Sequence, residues 1–205
     1  MATNGVQQAF APVLAALRTM QSNVDRAQKE QAHQYLEQFQ KSTEAWTTTI
    51  AILQTSDATD EARLFAATTL KGKVRELLHR GYTSKGSLVQ IIFDFHQLPR
   101  ETLPQLRDTL LSLLSTFSKG PKPTRTQLCV CLANLAIQML EWKDVLQVVV
   151  SALGNDSSSI ACVLEFLHVL PEEVTEGRKI NLTVRAAESP FLGVSPSPRG
   201  ACISI

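Results

Sequence analysis

Apolar residues in this chain recur at three- and four-residue steps in one block after another, with polar turns between the blocks, and that pattern constrains the fold more than any other feature. From Val6, the residues Phe10, Val13, Leu14 and Leu17 fall on one stripe of a helix. The run Ser-Asn-Val-Asp at 22–25 ends that block, and Asn23 or Asp25 can cap the next helix. That second helix sets Ala32, Tyr35, Leu36 and Phe39 on one face, with Gln, Glu and Lys on the other. A stripe of this kind needs a partner to bury it, so the two helices are expected to form a hairpin.

The pattern then repeats. Trp46, Thr49, Ile50 and Leu53 mark a third helix, the Thr-Ser-Asp-Ala-Thr-Asp turn at 55–60 breaks it, and Ala62, Phe65, Ala66 and Leu70 mark a fourth. Pro104 suits the first turn of a fifth helix bearing Leu106, Leu110, Leu113, Leu114 and Phe117. Its partner carries Leu128, Cys131, Leu132, Leu135 and Met139. The last pair runs through Trp142, Val145, Leu146 and Val149, then Ile160, Val163, Leu164 and Leu167, where Pro171 is expected to close it. The β-branched stretch Val145–Leu153 could be a buried strand, but its apolar residues also fit a helical stripe and its neighbours are helical. Eight helices in four hairpins leave an α-solenoid or an irregular bundle. First helices begin near Val6, Glu44, Leu103 and Trp142, giving steps of about 38, 59 and 39 residues, two of them near the HEAT period of about 40 to 47. The expected fold is therefore all-α, an α-solenoid of about four HEAT-like helical hairpins, truncated. Such a stack leaves the apolar side of its last hairpin open, around Val163 and Leu167.

Composition narrows what the stack can do. A hydrophobic content of 44% suffices for a core, and twenty Lys and Arg against nineteen Asp and Glu give no electrostatic case for nucleic acid or an acidic membrane. The N-terminal stretch lacks the basic start of a signal sequence, and no run approaches the roughly 20 apolar residues of a membrane span. Cys129, Cys131 and Cys162 lie in apolar stretches, and with Cys202 they do not make a disulfide framework, which fits a reducing compartment. A soluble protein that stays inside the cell is expected.

Chemistry finds little support. The Cys129-x-Cys131 pair and the Cys162 to His168 spacing are not those of a zinc site, and core packing explains them better. His33, His79, His96 and His168 have no accompanying nucleophile signature. Leu70–Arg75 has two lysines and a glycine but no phosphate-loop pattern, so Lys71 and Lys73 read as the solvated edge of a helix. The sequon at Asn181 and the Ser195-Pro and Ser197-Pro pairs carry no consequence here. No catalytic residue, cofactor or metal is expected, and the chain reads as a binding protein and not an enzyme.

Residues 27–73 resemble the importin-β N-terminal domain: a Gln/Glu-rich second helix ending in Leu-Glu-Gln-Phe-Gln-Lys-Ser, Trp46 opening the next helix, and Phe-Ala-Ala-Thr-Thr-Leu-Lys-Gly-Lys at 65–73. The stretches at 103–114, 126–145 and 164–174 continue the likeness, which is nearest to the transportin-SR branch and its fungal members, the mRNA transport regulators. On this reading residues 1–99 hold the importin-β N-terminal repeats, 100–183 further HEAT-like repeats, and 184–205 a tail foreign to the family and expected to be disordered. Residues 74–90 are a second departure, because relatives run almost directly from the fourth helix into the fifth, and removing them restores the repeat period. Both foreign segments open with Val-Arg, which the string GTACGT encodes, and the first closes on Gln, which CAG encodes. Both therefore have the form of translated introns, with a lineage-specific surface loop as the alternative.

The resemblance implies a nuclear import receptor, shuttling between nucleus and cytoplasm, whose N-terminal repeats grip the small GTPase Ran in its GTP form through the second helices. Cargo such as Arg/Ser-rich or RNA-binding proteins, and nucleoporins, would be partners of the whole receptor. Direct nucleic-acid binding and membrane insertion are not implied, and a chain this short is expected to be incomplete for cargo transport. The candidate Ran-facing residues are polar positions on second helices: Gln28, Gln31, Arg63, Thr68, Lys71, Asn134 and Gln138. A stand-alone HEAT or armadillo-like scaffold not tied to Ran is the alternative.

Overall fold

A computed structural model describes residues 3–80, 99–139, 141–154, 157 and 159–188. Eight α-helices appear among them: α1 (Thr3–Gln21), α2 (Arg26–Lys41), α3 (Glu44–Gln54), α4 (Asp60–Arg80), α5 (Leu103–Thr116), α6 (Lys122–Gln138), α7 (Val145–Leu153) and α8 (Ile160–Glu188). They pair in sequence order as four hairpins, and the described residues contain no strand. The β-branched stretch 145–153 is helix α7. Its Val149 and Leu153 reach the core, so tertiary packing outweighs its strand propensity.

The turns show why each helix starts where it does. Asp25 caps α2, its carboxylate accepting the Gln28 N–H at 2.8 Å. Thr59 stands before α4 with its hydroxyl accepting from the Ala62 N–H, and Pro104 occupies the first turn of α5. Trp142 is buried but precedes α7, in a turn closed by its N–H on the Met139 carbonyl, so the last hairpin starts three residues later than the spacing predicts.

One apolar core runs through all four hairpins. Phe10, Val13 and Ala16 of α1 meet Ala32, Leu36 and Phe39 of α2, and Phe39 stacks against Phe65 of α4 at 6.3 Å between ring centres. Tyr35, expected in the α2 stripe, is exposed at its edge beside Pro12 and Ala15. The second helices form a layer of their own: α2 touches α4, α4 packs along α6, and α6 packs along α8. Helix α6 is central, with Leu128, Cys129, Cys131, Leu132, Ala133 and Leu135 all buried, because it is covered by α4, α5 and α8 at once.

Several sequence expectations differ from the structure. Lys73 is buried, 4% exposed, its ammonium 5.9 Å from the Trp46 ring centre; it is not on a solvated edge. Pro171 does not close α8, which continues to Glu188. Pro171 and Leu167, four residues before it, are both exposed, so water can take up the carbonyl that the missing N–H leaves free. Helix α8 thereby includes residues 184–188 of the expected disordered tail, where Arg, Ala and Glu favour helix and no breaker comes before Pro190. Likewise α4 runs on through Val74 to Arg80, into the expected insertion, and Val74 is fully buried where a surface loop was one reading. Residues 81–98 and 189–205 lie outside the described residues.

The last correction concerns the α8 stripe. Two apolar rows compete on its first three turns, and the row facing α6 is Cys162, Val163, Phe166 and Val169. Ile160, Leu164 and Leu167 are turned outward, with Leu164 61% exposed. Val163 is therefore inside, while Leu167 is on the open side as expected.

Candidate interaction surface

The seven polar positions expected to face a partner divide into two groups. Gln28, Gln31 and Thr68 are exposed, the first two on α2 and the third on α4, and Lys71 is half-buried one turn beyond Thr68. Gln28 and Gln31 line an open groove between α1 and α2 with Pro12, Ala15, Thr19 and Tyr35. These side chains are free to meet another molecule.

Arg63, Asn134 and Gln138 are not presented outward. Arg63 folds back over the α3–α4 turn, donating from Nη2 to the Ser56 carbonyl at 2.7 Å and the Thr55 carbonyl at 3.4 Å. Its guanidinium also lies 5.6 Å from the Phe117 ring centre, joining the second hairpin to the end of α5. Arg125, in the first turns of α6, does the same one hairpin later by donating to the Ser118 carbonyl at 3.2 Å. Asn134, 2% exposed, donates from Nδ2 to the Val130 carbonyl and to Glu173 Oε2, each at 2.9 Å. Gln138 donates from Nε2 to the Val74 carbonyl at 2.7 Å, tying α6 to α4.

These bonds belong to a set that stitches the second-helix layer together. Gln40 reaches Thr69 between α2 and α4, and the Thr126 hydroxyl donates to Glu165 Oε1 at 2.7 Å between α6 and α8. Sequence reading missed Glu165 and Glu173 as partners. The signal was in the spacing: Thr126 and Glu165, like Asn134 and Glu173, stand 39 residues apart, close to one repeat period.

The thiols are part of the packing. Burial pushes Cys129 up to about 12, with the neighbouring Cys162 and Glu165 adding to the effect, and burial also raises Cys131 and Cys162. The Cys129 thiol lies 3.7 Å from the Cys162 carbonyl and the Cys162 thiol 3.4 Å from the Leu114 carbonyl. Protonated thiols of this kind are poor nucleophiles and poor metal ligands. Among the described residues no group of three or more His, Cys, Asp or Glu is placed to hold a metal, and no helix is long and apolar enough to cross a membrane.

Comparison with known proteins accounts for this architecture. The profile of the importin-beta N-terminal domain matches residues 32–116, and that of exportin 1-like protein matches 121–189; the two meet at the short turn after α5. The first match spans residues 74–90, and the second runs past Thr183 to the end of α8. A protein of Schizosaccharomyces pombe is 42% identical over 171 residues, 83% of this chain and 16% of the relative. The mRNA transport regulator MTR10 of Saccharomyces cerevisiae is 40% identical over 171 residues, 82% of this chain and 15% of its own length. Transportin MOS14 of Arabidopsis thaliana is 28% identical over 165 residues, 78% of this chain and 15% of its own. The chain thus spans about 15% of the length of the relatives it matches.

Proposed function

On the premise that this chain carries importin-β N-terminal and exportin 1-like domains and belongs with the transportin branch of the nuclear transport receptors, we propose that it grips the small GTPase Ran in its GTP form through its second-helix layer. The observation that carries the reading is that Gln28 and Gln31 on α2 and Thr68 on α4 are exposed polar side chains on neighbouring second helices, with Lys71 half-buried one turn beyond Thr68. In a solenoid the second helices line the inner side, where an extended partner can touch successive repeats. Arg63, Asn134 and Gln138 act one step back, fixing the helices that present the contact residues.

The longer receptor would shuttle between nucleus and cytoplasm, carrying Arg/Ser-rich or RNA-binding cargo past nucleoporins, and these 205 residues alone would be incomplete for cargo. Pull-down against Ran loaded with GTP and then with GDP is the test. A preference for the GTP form that weakens in Gln31→Ala and Thr68→Ala supports the proposal. Equal binding of both forms sinks it in favour of a scaffold indifferent to nucleotide.

A further inference from the structure

Glycines at the helix ends of this chain have a structural reason to be there. A Cβ on Gly120 would come within 2.9 Å of the Phe117 ring, and one on Gly154 within 2.5 Å of the Val150 carbonyl oxygen, both too close for a side chain. Gly72 has no such reason. It lies in the interior of α4, where glycine is the least favourable residue after proline. Its backbone is helical, and a Cβ built on it meets no atom within 4 Å. Any ordinary side chain would fit the fold there and would favour the helix.

We infer that Gly72 is a contact position for the partner: it leaves a dent in the open face of α4 where a protruding side chain of the GTP-form GTPase seats against the helix backbone. This role rests on the GTPase grip proposed above and adds to it a residue marked by shape and not by polarity.

The placement of Gly72 on α4 carries the assignment. Ala62, Ala66, Ala67, Leu70 and Val74 are buried against neighbouring helices. Glu61, Leu64, Thr68, Lys71, Gly72 and Arg75 fall on one stripe at three- and four-residue steps, and none of them is buried. Within it, Thr68, Lys71, Gly72 and Arg75 stand at i, i+3, i+4 and i+7, the four corners of the hole that a knob from a facing element enters. With only hydrogen at one corner the hole is deeper, and a partner can reach the α4 backbone with no Cβ in its way. Thr68, one turn before, already belongs to the polar surface that runs from Gln28 and Gln31 on α2, so the dent is continuous with it. A local rule broken against the helix's own stability, on the side that no other part of the described chain covers, is the mark of a position kept for an outside contact.

The test measures affinity of the full 205-residue chain for Ran loaded with GTP or GDP, beside urea unfolding of the same samples. Gly72→Ala is expected to raise the urea midpoint by about 0.5 M, because alanine favours helix over glycine. It should nevertheless weaken binding of the GTP form by roughly 3-fold, and Gly72→Leu by roughly 10-fold or more, as the hole fills. Thr47→Leu, at an exposed position on the first helix α3, should leave binding unchanged. Stability that rises while affinity falls in step with side-chain size supports the contact, since a merely structural glycine would lose both together. Gly72→Leu binding as tightly as the unaltered chain overturns the inference and leaves the GTPase grip standing. So does a lower midpoint in Gly72→Ala, or an equal loss of binding in Thr47→Leu. An unaltered chain with no preference for the GTP form overturns the grip itself, and the role of Gly72 with it.

Discussion

Replacing Arg63 by Met separates a residue that holds the repeat together from one that touches a partner. The guanidinium donates to the Ser56 carbonyl at 2.7 Å and the Thr55 carbonyl at 3.4 Å, stands 3.4 Å from Asp60, and faces the Phe117 ring. The short bond to Ser56 contributes about 1 kcal/mol net and the long one less. The ring contact adds about 0.5–1 kcal/mol for a side chain that is 22% exposed. The Asp60 carboxylate is mostly in water, so its pairing contributes about 0–0.5 kcal/mol. Together these give about 2 kcal/mol, which at a urea dependence of about 2 kcal/mol per M lowers the midpoint by about 1 M. Arg63→Lys should recover little, because a single ammonium cannot span two carbonyls and lie flat on a ring. The assay is urea unfolding followed by circular dichroism, beside binding of Ran in its GTP form. A midpoint unchanged within about 0.2 M, together with lost binding, would refute the structural role and return Arg63 to the contact surface.

Two further predictions rest on other parts of the chain. The Cys129 thiol, held up to about 12, keeps its proton in the folded chain well past the pH at which the unfolded chain loses it, near 9. Stability from this group is full below pH about 9 and falls as pH rises from there toward about 12, so a thiol reagent at pH 8 should label Cys129 at the rate of unfolding. For residues 74–90, the proposal that they are a translated intron calls for transcripts that omit that segment and the one opening at Val184; reads retaining both in every transcript would end it.

The helices and their pairing were legible because apolar periodicity is a property of each segment alone. Phe10 and Val13, or Leu106 and Leu110, announce their inward face whatever the neighbour is. The rotation of α8 was not legible, since both Val163 and Leu164 continue an apolar row and only contact with α6 selects between them. Pro171 misled for a related reason: a proline costs most where its freed carbonyl is buried, and this one faces water. The candidate contacts suffered from the same gap, because polarity alone does not say whether a side chain points to solvent or to the next helix. Gln31 and Gln138 are the same residue on equivalent helices, yet one is exposed and the other donates across to Val74.

That difference between Gln31 and Gln138 has a physical origin in where each helix sits. Helix α6 has a helix on either side, so an amide or carboxylate facing a neighbour must find a partner there, and a found partner fixes how the two helices slide and turn against each other. Thr126 with Glu165 and Asn134 with Glu173 tie α6 and α8 at two points in one register. Apolar packing alone would tolerate a shift of one turn, whereas such a shift would leave Asn134 buried without Glu173, at a cost of about 1–3 kcal/mol. The outer side of α8 has no matching polar pair among Ile160, Leu164 and Leu167, so whatever packs there is selected by apolar shape and not by register. A face of that kind discriminates little between neighbours, whereas the stitched faces inside the stack accept only the helix they were built for.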